Sequence, residues 1–475
     1  MARTFPILAL LLLAAGCEPT VSRRDEVKQE MPFSGMKLRI MVVDDPQLAL
    51  AVRPLEGEWN AQTGADFEIQ QVSSHEVAAG SALAADAVIC PCGLLGTMAQ
   101  RKLLSPWPKQ MVAADAGPWS EIFPLLRMHE AAWGSDLLAV PLGSPLLICY
   151  YRKDLLERLG RQPPQTWADY LELARLLAND KAAKTAAPGG RWYATAEPLA
   201  PGWAGLLLLA RAAPYAKHPD NYSALFDINT MEPLVAGPPL VRALEELVEA
   251  AKLGPPEQAR LDPAAVRAEF WRGHCGMALT WPTAAGESLG GVDRAIRVGF
   301  AELPGATTCY NVNTKTWETL PDGRIAQVPL LGLAGRSGVV PAASQQQQAA
   351  REFLWWLAAQ HGRVLAASPA TTLSRRGQLP SAQDWVEKPV PAPVAAEYAV
   401  LTQQTLGRQN CLLALPLPGR AEYLAVLDEA VGKAVAGKLS AAKALAEAAA
   451  RWREITKRLG SERQRTAYLN SLGLD

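Results

Sequence analysis

The first hundred residues alternate between apolar β-type runs and helical stretches, which limits the folds open to the chain. Lys37–Val43 (KLRIMVV), Asp66–Val72 (DFEIQQV) and 84–90 (AADAVIC) have the composition of strands. Residues 48–62 and 95–102, after the first and third of these runs, have the apolar spacing of helices. Strands that alternate with helices indicate a parallel sheet covered on both faces. We therefore expect an α/β fold.

This pattern also places a candidate site at one edge of the sheet. In open α/β sheets, ligands bind at the carboxyl ends of the strands. Asp44 and Asp45 directly follow the first strand, and the turn 90–94 follows the third. The Asp45 carboxylate is able to accept hydrogen bonds from the hydroxyls of a ligand. The alternative is that Asp45 caps the helix that follows it.

Strands and helices are also predicted along the rest of the chain. Residues 139–151 (AVPLGSPLLICYY) form a strand region with a Gly-Ser-Pro break. Thr166 is a good N-cap for a helix over 167–178, with Asp169 at its third position. Further helices are predicted over 152–159, 240–253, 263–272, 349–359 and 425–458, the last broken at Gly437, and a strand over 276–281.

The N-terminus has the pattern of an export signal. An apolar run over 5–15 follows Arg3 and has about half of the roughly 20 residues that a membrane-spanning helix needs. The small residues before Cys17 resemble the bacterial lipoprotein signal. This resemblance implies a signal peptide over 1–16, lipidation of Cys17 and a polar tether over 17–36. The alternative is an ordinary signal peptide with an incidental cysteine.

Charge and cysteine content exclude other classes of protein. The 47 Lys and Arg residues are balanced by 47 Asp and Glu residues, so no basic excess attracts nucleic acid. Cys90-Pro91-Cys92 has no His or acidic residue at ligand spacing, so we expect no metal and no cofactor. Apart from Cys17 the cysteines are too few for a disulfide scaffold, and we expect buried thiols whose pairing stays unassigned. They are Cys90, Cys92, Cys149, Cys275, Cys309 and Cys411.

Tryptophan is unusually frequent among the aromatic residues. The 14 Trp exceed both the 10 Tyr and the 8 Phe. Since an indole ring fills a core as readily as it stacks on a ligand, the excess is compatible with either role. Trp355 and Trp356 lie in an apolar helical stretch and are expected in the core.

Several segments, taken in order, resemble the extracellular solute-binding proteins of ABC transporters, in the branch with sugar-binding and maltose-binding members. They are KLRIMVV, DFEIQQV, ADAVICPCGLLGTMAQRKLLSPW, AVPLGSPLLICYYRKDLLERLG with PPQTWADYLELARLL, FWRGHCGMALTW, AAREFLWWLAAQHG and GKLSAAKALAEAAARW. The resemblance implies a two-lobed periplasmic-binding-protein fold of type II-like architecture. Each lobe would be a sheet flanked by helices, with a ligand cleft between the lobes.

The resemblance also implies how the chain divides between the lobes. The expected boundaries are 37–143 plus 282–365 for lobe 1, and 144–281 plus 366–475 for lobe 2. Crossovers are expected within 141–151, after Trp281 and near 368–376. Closure of the lobes around a ligand is a hinge motion known for periplasmic binding proteins.

Six residues are implied as ligand contacts: Asp45, Ser144, Glu197, Trp203, Trp281 and Tyr423. Ser144 lies at the first crossover, where the alternative is a plain turn residue. Glu197 and Pro198 resemble the Glu-Pro pair that supplies a cleft carboxylate in maltose-binding members, with a surface loop as the alternative. Trp203 lies beside that loop, with core packing as its alternative.

The remaining contacts lie further along the chain. Trp281 ends a strand where family members commonly present an aromatic ring, whose face stacks on a sugar or on a cationic group. Tyr423, or Arg420 close to it, lies where the last lobe segment returns to the cleft.

Two departures from the maltose-binding members argue against a maltose-type pocket. After the third strand, Cys90, Gly93 and Leu94 replace an aromatic residue and a charged pair. At the first crossover, Pro145 replaces an acidic residue. The favoured ligand is a carbohydrate, and another small polar solute is the variant.

The resemblance and the export signal together predict a lipid-anchored substrate-binding subunit of an ABC importer, and not an enzyme. The expected partners are a sugar-like solute, the permease subunits and, through the lipid anchor, the membrane. We expect a monomer located outside the cytoplasm, in the periplasm or at the cell surface.

Two alternatives stay open. One is an exported glycoside-type hydrolase, although the chain lacks GxSxG, HExxH, P-loop and GxGxxG motifs. The geometry of a carboxylate pair is set in three dimensions, so the sequence alone does not exclude such a pair. The other alternative is a binding-protein fold used as a sensor or scaffold without transport.

Overall fold

The computed structural model describes residues 31–80, 82–111, 118–286, 291–293 and 295–474. The predicted signal peptide over 1–16, the lipidation residue Cys17 and most of the tether over 17–36 lie outside the described residues. Within the described part of the chain, no helix is both long and apolar enough to cross a bilayer.

The described residues form short strands and mostly short helices in alternation. The strands are β1 Lys37–Val43, β2 Asp66–Val72, β3 Ala87–Pro91, β4 Ala132–Trp133, β5 Asp136–Leu137, β6 Ala139–Gly143, β7 Ile148–Arg152, β8 Tyr193–Ala196, β9 Cys275–Thr280, β10 Val298–Glu302, β11 Thr308–Asn311, β12 Thr316–Thr319, β13 Leu330–Leu331, β14 Arg336–Val339 and β15 Leu412–Leu413. The helices are α1 Pro46–Val52, α2 Glu56–Thr63, α3 Ser74–Ala79, α4 Leu95–Gln100, α5 Pro124–His129, α6 Lys153–Leu159, α7 Trp167–Ala178, α8 Lys181–Ala186, α9 Ala204–Ala216, α10 Pro238–Ala251, α11 Pro263–Trp271, α12 Gln347–Gln360, α13 Gly362–Leu365, α14 Ala392–Leu406, α15 Arg420–Val435, α16 Ala441–Leu459 and α17 Ser461–Leu472.

The first lobe is built on a five-stranded sheet with the order β2-β1-β3-β14-β6. Strands β1, β2 and β3 are parallel, as predicted, with Ile40 opposite Ile69 and Ala87. Strand β14 runs antiparallel to both β3 and β6, so the complete sheet is mixed. Both faces are covered, since Ile40 and Met41 join different hydrophobic clusters.

The second lobe is built on a four-stranded sheet with the order β10-β7-β9-β8. Strand β7 is antiparallel to β9 and β10, whereas β8 and β9 are parallel. Helices α6, α7, α11 and α14 contact this sheet. Two separate sheets, each flanked by helices, confirm the predicted two-lobed α/β architecture.

Within the described residues, the chain passes between the two sheets at three places. The first passage, 144–147, joins β6 to β7 and lies within the predicted crossover. The second passage follows Trp281 and lies between β10, which still belongs to the second sheet, and β14 of the first. The predicted lobe boundaries place β10 in lobe 1, and they stay a prediction. The third passage, 366–375, leads from α13 toward α14.

Local sequence signals explain most element ends. The predicted cap at Thr166 is confirmed, because its side chain accepts from the Asp169 backbone N–H while the Asp169 carboxylate accepts from the Thr166 N–H. The single helix predicted over 48–62 is divided by a 3-10 turn at Arg53–Leu55, which contains Pro54. Gly437 has a φ of 68° and lies in the break between α15 and α16, as predicted.

The first and third passages touch each other at Gly143, the last residue of β6. Its φ is 153°, and a Cβ at this position would lie 2.9 Å from Cα of Thr371. Only glycine therefore allows the first and third passages to pack this closely.

We expect Gly143→Ala to lower the free energy of unfolding by about 1–3 kcal/mol, because the backbone of Thr371 has to move. The matched control is Gly432→Ala in α15, where an added Cβ meets nothing within 4 Å and helix propensity improves. Urea unfolding followed by tryptophan fluorescence measures both. Equal stability of the two variants would contradict the proposed contact.

Candidate functional site

The third passage is hydrogen-bonded to residues predicted to contact the ligand. Oδ2 of the Asp45 carboxylate accepts from Ser368 Oγ and, at 2.8 Å, from Nε of Arg336. Its Oδ1 accepts from the Leu48 backbone N–H at 3.0 Å, so Asp45 also caps α1. The side chain is almost fully buried, and the capping alternative is what the structure contains.

Ser144 lies in the first passage and joins it to the third. Its hydroxyl donates to Oε1 of Glu130 at 2.6 Å. Its backbone carbonyl accepts from Oγ1 of Thr372 at 2.8 Å. The residue is completely buried, so it fixes the position of two passages relative to each other.

Trp281 and Trp203 lie together in the second lobe. Their ring centroids are 5.4 Å apart and the planes are tilted by 46°. Nε1 of Trp281 donates to the carbonyl of Pro369 at 2.9 Å, again in the third passage. Trp281 is 4% exposed, whereas Trp203 is only partly buried. Stacking on a ligand was predicted for Trp281, and it stays a prediction for this largely buried ring.

Glu197 is enclosed in the core of the second lobe rather than on a surface loop. Nη2 of Arg211 donates to both carboxylate oxygens at 2.9 Å, and the Tyr170 hydroxyl donates to Oε1 at 2.9 Å. The Arg211 guanidinium stacks over Trp167 at 3.9 Å from the ring centroid. Burial and the neighbouring Glu197 raise the pKa of Tyr170. These contacts occupy both oxygens of Glu197.

Tyr423 also packs inside the second lobe. Its ring lies 5.1 Å from that of Trp452, and its hydroxyl is 2.8 Å from Oγ1 of Thr456. It is fully buried. Arg420, which the sequence predicted as the alternative to Tyr423, lies at the junction of the lobes instead.

A small enclosed cavity, the interlobe cavity, lies where the predicted turn 90–94 meets the second lobe. Its lining includes Cys92, Gly93, Glu130, Trp133, Gly332 and Arg420. Its volume of about 20 Å³ accommodates one water-sized group. Pockets that enclose small molecules are usually about 300–1,000 Å³, so this cavity has room for one group of a solute and not for a whole solute.

Two charged side chains of the interlobe cavity approach from opposite lobes. Oε1 of Glu130 accepts from Ser144 Oγ at 2.6 Å and from the Gly332 N–H at 2.8 Å. Nη2 of Arg420 donates to the Gly332 carbonyl at 2.7 Å. Burial raises the pKa of Glu130 and lowers that of Arg420.

Glu130 was not among the residues predicted from the sequence. It lies between α5 and β4, in a stretch with no strand or helix motif that assigns a role to a single acidic residue. The only available signal was an acidic residue in the largely apolar stretch 129–133 (HEAAW).

The cysteines are buried thiols, as predicted. All six that are described are unpaired and buried. Burial raises the pKa of the Cys90 thiol to about 12, and it also raises the pKa of Cys92. Within the described ranges, no cluster of three or more His, Cys, Asp and Glu residues is placed to hold a metal ion.

An open groove of about 700 Å³ lies elsewhere on the second lobe. It runs between the 162–165 loop and α14, and its floor includes Phe300 and Glu302 of β10. None of the six predicted contacts lines this groove.

A buried polar network connects Trp281 with Glu387. Arg267 donates from Nη1 to the Trp281 carbonyl at 3.2 Å, and its Nε lies 3.6 Å from the Glu387 carboxylate. The Tyr150 hydroxyl donates to that carboxylate at 3.0 Å. Burial is the largest influence on Glu387 and raises its pKa from 4.5 to about 7, although Arg267 acts in the opposite direction.

Because the pKa of Glu387 is raised in the folded state, its contribution to the free energy of unfolding is greatest below pH 4.5. This contribution decreases as the pH rises toward 7. We expect this group to lower the free energy of unfolding by roughly 3 kcal/mol between these limits. In Glu387→Gln, the free energy of unfolding should depend less on pH up to pH 7, as measured by urea unfolding between pH 5 and 8. Glu246→Gln in α10 is the control. Parallel profiles for the wild-type chain and Glu387→Gln would disprove this assignment.

Comparison with known proteins agrees with this architecture. The family model described as "Bacterial extracellular solute-binding protein" matches residues 46–362, about two thirds of the chain. No curated protein sequence matches the chain.

Solved structures share the fold at low sequence identity. A solute-binding protein of Agrobacterium radiobacter K84, in complex with ribitol, has a TM-score of 0.65 and 17% identity over 89% of this chain and 100% of its own. An Agrobacterium vitis S4 protein with bound D-mannitol has a TM-score of 0.62 and 18% identity over 90% and 99%. The sugar-binding protein MalE of Xanthomonas citri has a TM-score of 0.64 and 19% identity over 89% and 98%.

Proposed function

Since the chain belongs to the bacterial extracellular solute-binding proteins, we propose that it captures a small polar solute, most favourably a carbohydrate or polyol, between its lobes. The family is extracytoplasmic and consists of binding proteins of ABC transporters, not enzymes. The hydrolase alternative is therefore not favoured. The similar structures bound to ribitol, D-mannitol and maltotetraose support the polyol and sugar class.

The observation that carries the proposal is the bonding of the third passage to both lobes. Ser368 bonds to Asp45 in the first lobe, and Pro369 accepts from Trp281 in the second. Rotation of the lobes would therefore move Asp45 of the first lobe relative to Trp281 of the second. A solute that contacts both lobes binds better when they are together, and it increases the population of that state.

Within this proposal, Trp203 and Trp281 are the stacking surface for the solute. Asp45, Ser144, Glu197 and Tyr423 stay proposed contacts whose polar groups have partners within the protein in this state. The lobe boundaries given above and a monomeric state belong to the same proposal.

We further propose that the chain is a lipoprotein that delivers its solute to the permease subunits of an ABC importer. The small residues before Cys17 support lipidation at that position. A lipid attached to Cys17 would hold the protein at the membrane.

A panel of sugars and polyols that includes ribitol, D-mannitol and maltose should contain compounds that raise the melting temperature. A ligand at 100 times its Kd stabilises the folded state by about 2.7 kcal/mol. Trp281→Ala should weaken that binding by removing the stacking surface, as measured by calorimetry. Trp317→Ala, an exposed tryptophan of β12, is the control.

A panel without any stabilising compound would contradict solute capture. Release of product from a labelled oligosaccharide would instead support the hydrolase alternative.

Cys17→Ser should abolish incorporation of labelled palmitate and move the full chain from the membrane fraction to the soluble fraction of the host cell. Lipidation needs the thiol at that position, and a hydroxyl does not replace it. Cys309→Ser, which changes a buried thiol, should keep the label. Membrane association of the Cys17→Ser chain would show that another element anchors it.

A further inference from the structure

Glu130 and Arg420 reach the interlobe cavity from different lobes. Glu130 follows α5, next to the first sheet, and is 3% exposed. Arg420 is the first residue of α15, which packs against α9 in the second lobe. A group bound in the interlobe cavity therefore contacts both lobes at once.

Each of these side chains has one polar atom without a partner. The hydrogen bonds to Glu130 occupy Oε1, while Oε2 is buried and accepts none. Arg420 donates from Nη2 to the Gly332 carbonyl, while its buried Nη1 has no acceptor. These two atoms, Oε2 of Glu130 and Nη1 of Arg420, do not bond to each other in the described structure. Unpaired buried polar atoms favour the binding of a group that satisfies them.

The chemistry of the two atoms restricts that group. A hydroxyl is able to donate to a carboxylate and accept from a guanidinium at the same time. The cavity of about 20 Å³ has room for one such group, and Trp133 provides an apolar wall beside it. An anionic group would be repelled by Glu130, and a cationic group by Arg420.

We propose that Glu130 and Arg420 bind a hydroxyl of the captured solute and select neutral polyols and sugars. This inference rests on the proposed function and names residues of the same site. Because the two residues belong to different lobes, the hydroxyl bonds to both only when the lobes are together.

Gly93 supports this role for Arg420. A Cβ at position 93 would lie 2.7 Å from Nε of Arg420. The turn after β3 thus leaves space for the guanidinium because residue 93 has no side chain. The arginine of one lobe therefore lies directly against the turn of the other.

The test compares Kd values of ribitol, D-mannitol, maltose and L-glutamine by calorimetry. Glu130→Gln keeps an oxygen for Ser144 and Gly332 but removes the charge, and Arg420→Met removes the donor. Each should weaken polyol or sugar binding roughly 10- to 100-fold, as expected for the loss of a charged hydrogen bond. Gly93→Ala should weaken it in the same direction, because it displaces only the flexible Arg420 side chain.

The matched controls are Glu246→Gln and Arg242→Met, an ion pair of α10 that does not line the cavity. Both should keep the wild-type Kd. Urea unfolding of each variant without ligand shows whether that variant is folded. If Glu130→Gln does not fold, the Kd values of Gly93→Ala still test the role of Arg420.

The outcomes separate this inference from the proposed function. If the wild-type chain binds the probes and the folded variants bind them with the same Kd values, the role of Glu130 and Arg420 is overturned. The proposed function is then unaffected. Tighter binding of L-glutamine than of the polyols and maltose would overturn the selectivity for hydroxyls. A wild-type chain that binds none of the probes or of the wider panel would overturn both proposals.

Discussion

Residues 368–372 of the third passage constrain the rest of the molecule. Its side chains and carbonyls bond to Asp45 at the carboxyl end of β1, to Ser144 in the first passage and to Trp281 in the second lobe. Buried hydrogen bonds of this kind are strongly directional and costly to leave unmade. The two sheets therefore meet in a defined orientation, and each of the two hydrophobic clusters contains residues of both sheets.

Pairing distinguishes the buried charges that hold the fold from those that are available to a ligand. Glu197 accepts from Arg211 and Tyr170, and Asp45 accepts from Arg336, so these carboxylates are satisfied within the protein. Glu130 has one oxygen with two donors and one with none. Since an unpaired buried oxygen is destabilising, its position beside a cavity is a stronger sign of binding than burial alone.

Periodicity and capping residues predicted several elements, such as the strand Lys37–Val43 and the capped helix Trp167–Ala178, but not α9 or α14. They did not reveal that β10 stays in the second sheet, because pairing between distant strands leaves no local signal. They also did not reveal Glu130, whose role depends on Ser144 and Arg420, which are 14 and 290 residues away. The excess of tryptophan is explained largely by packing, since Trp59, Trp167, Trp271, Trp385 and Trp452 are among the largest fully buried side chains.

The C-terminal helix α17 adds a second connection between the lobes. The Asn470 carbonyl accepts from the Gly134 N–H in the first lobe at 3.0 Å, and the Tyr468 hydroxyl bonds to Ser223 in the second. Separation of the lobes has to break one set of these bonds or shift the helix with one lobe. Ser471 of the same helix lines the interlobe cavity. The free energy of opening thus depends on α17 as well as on the solute, and any group bound in the cavity acts directly beside this connection.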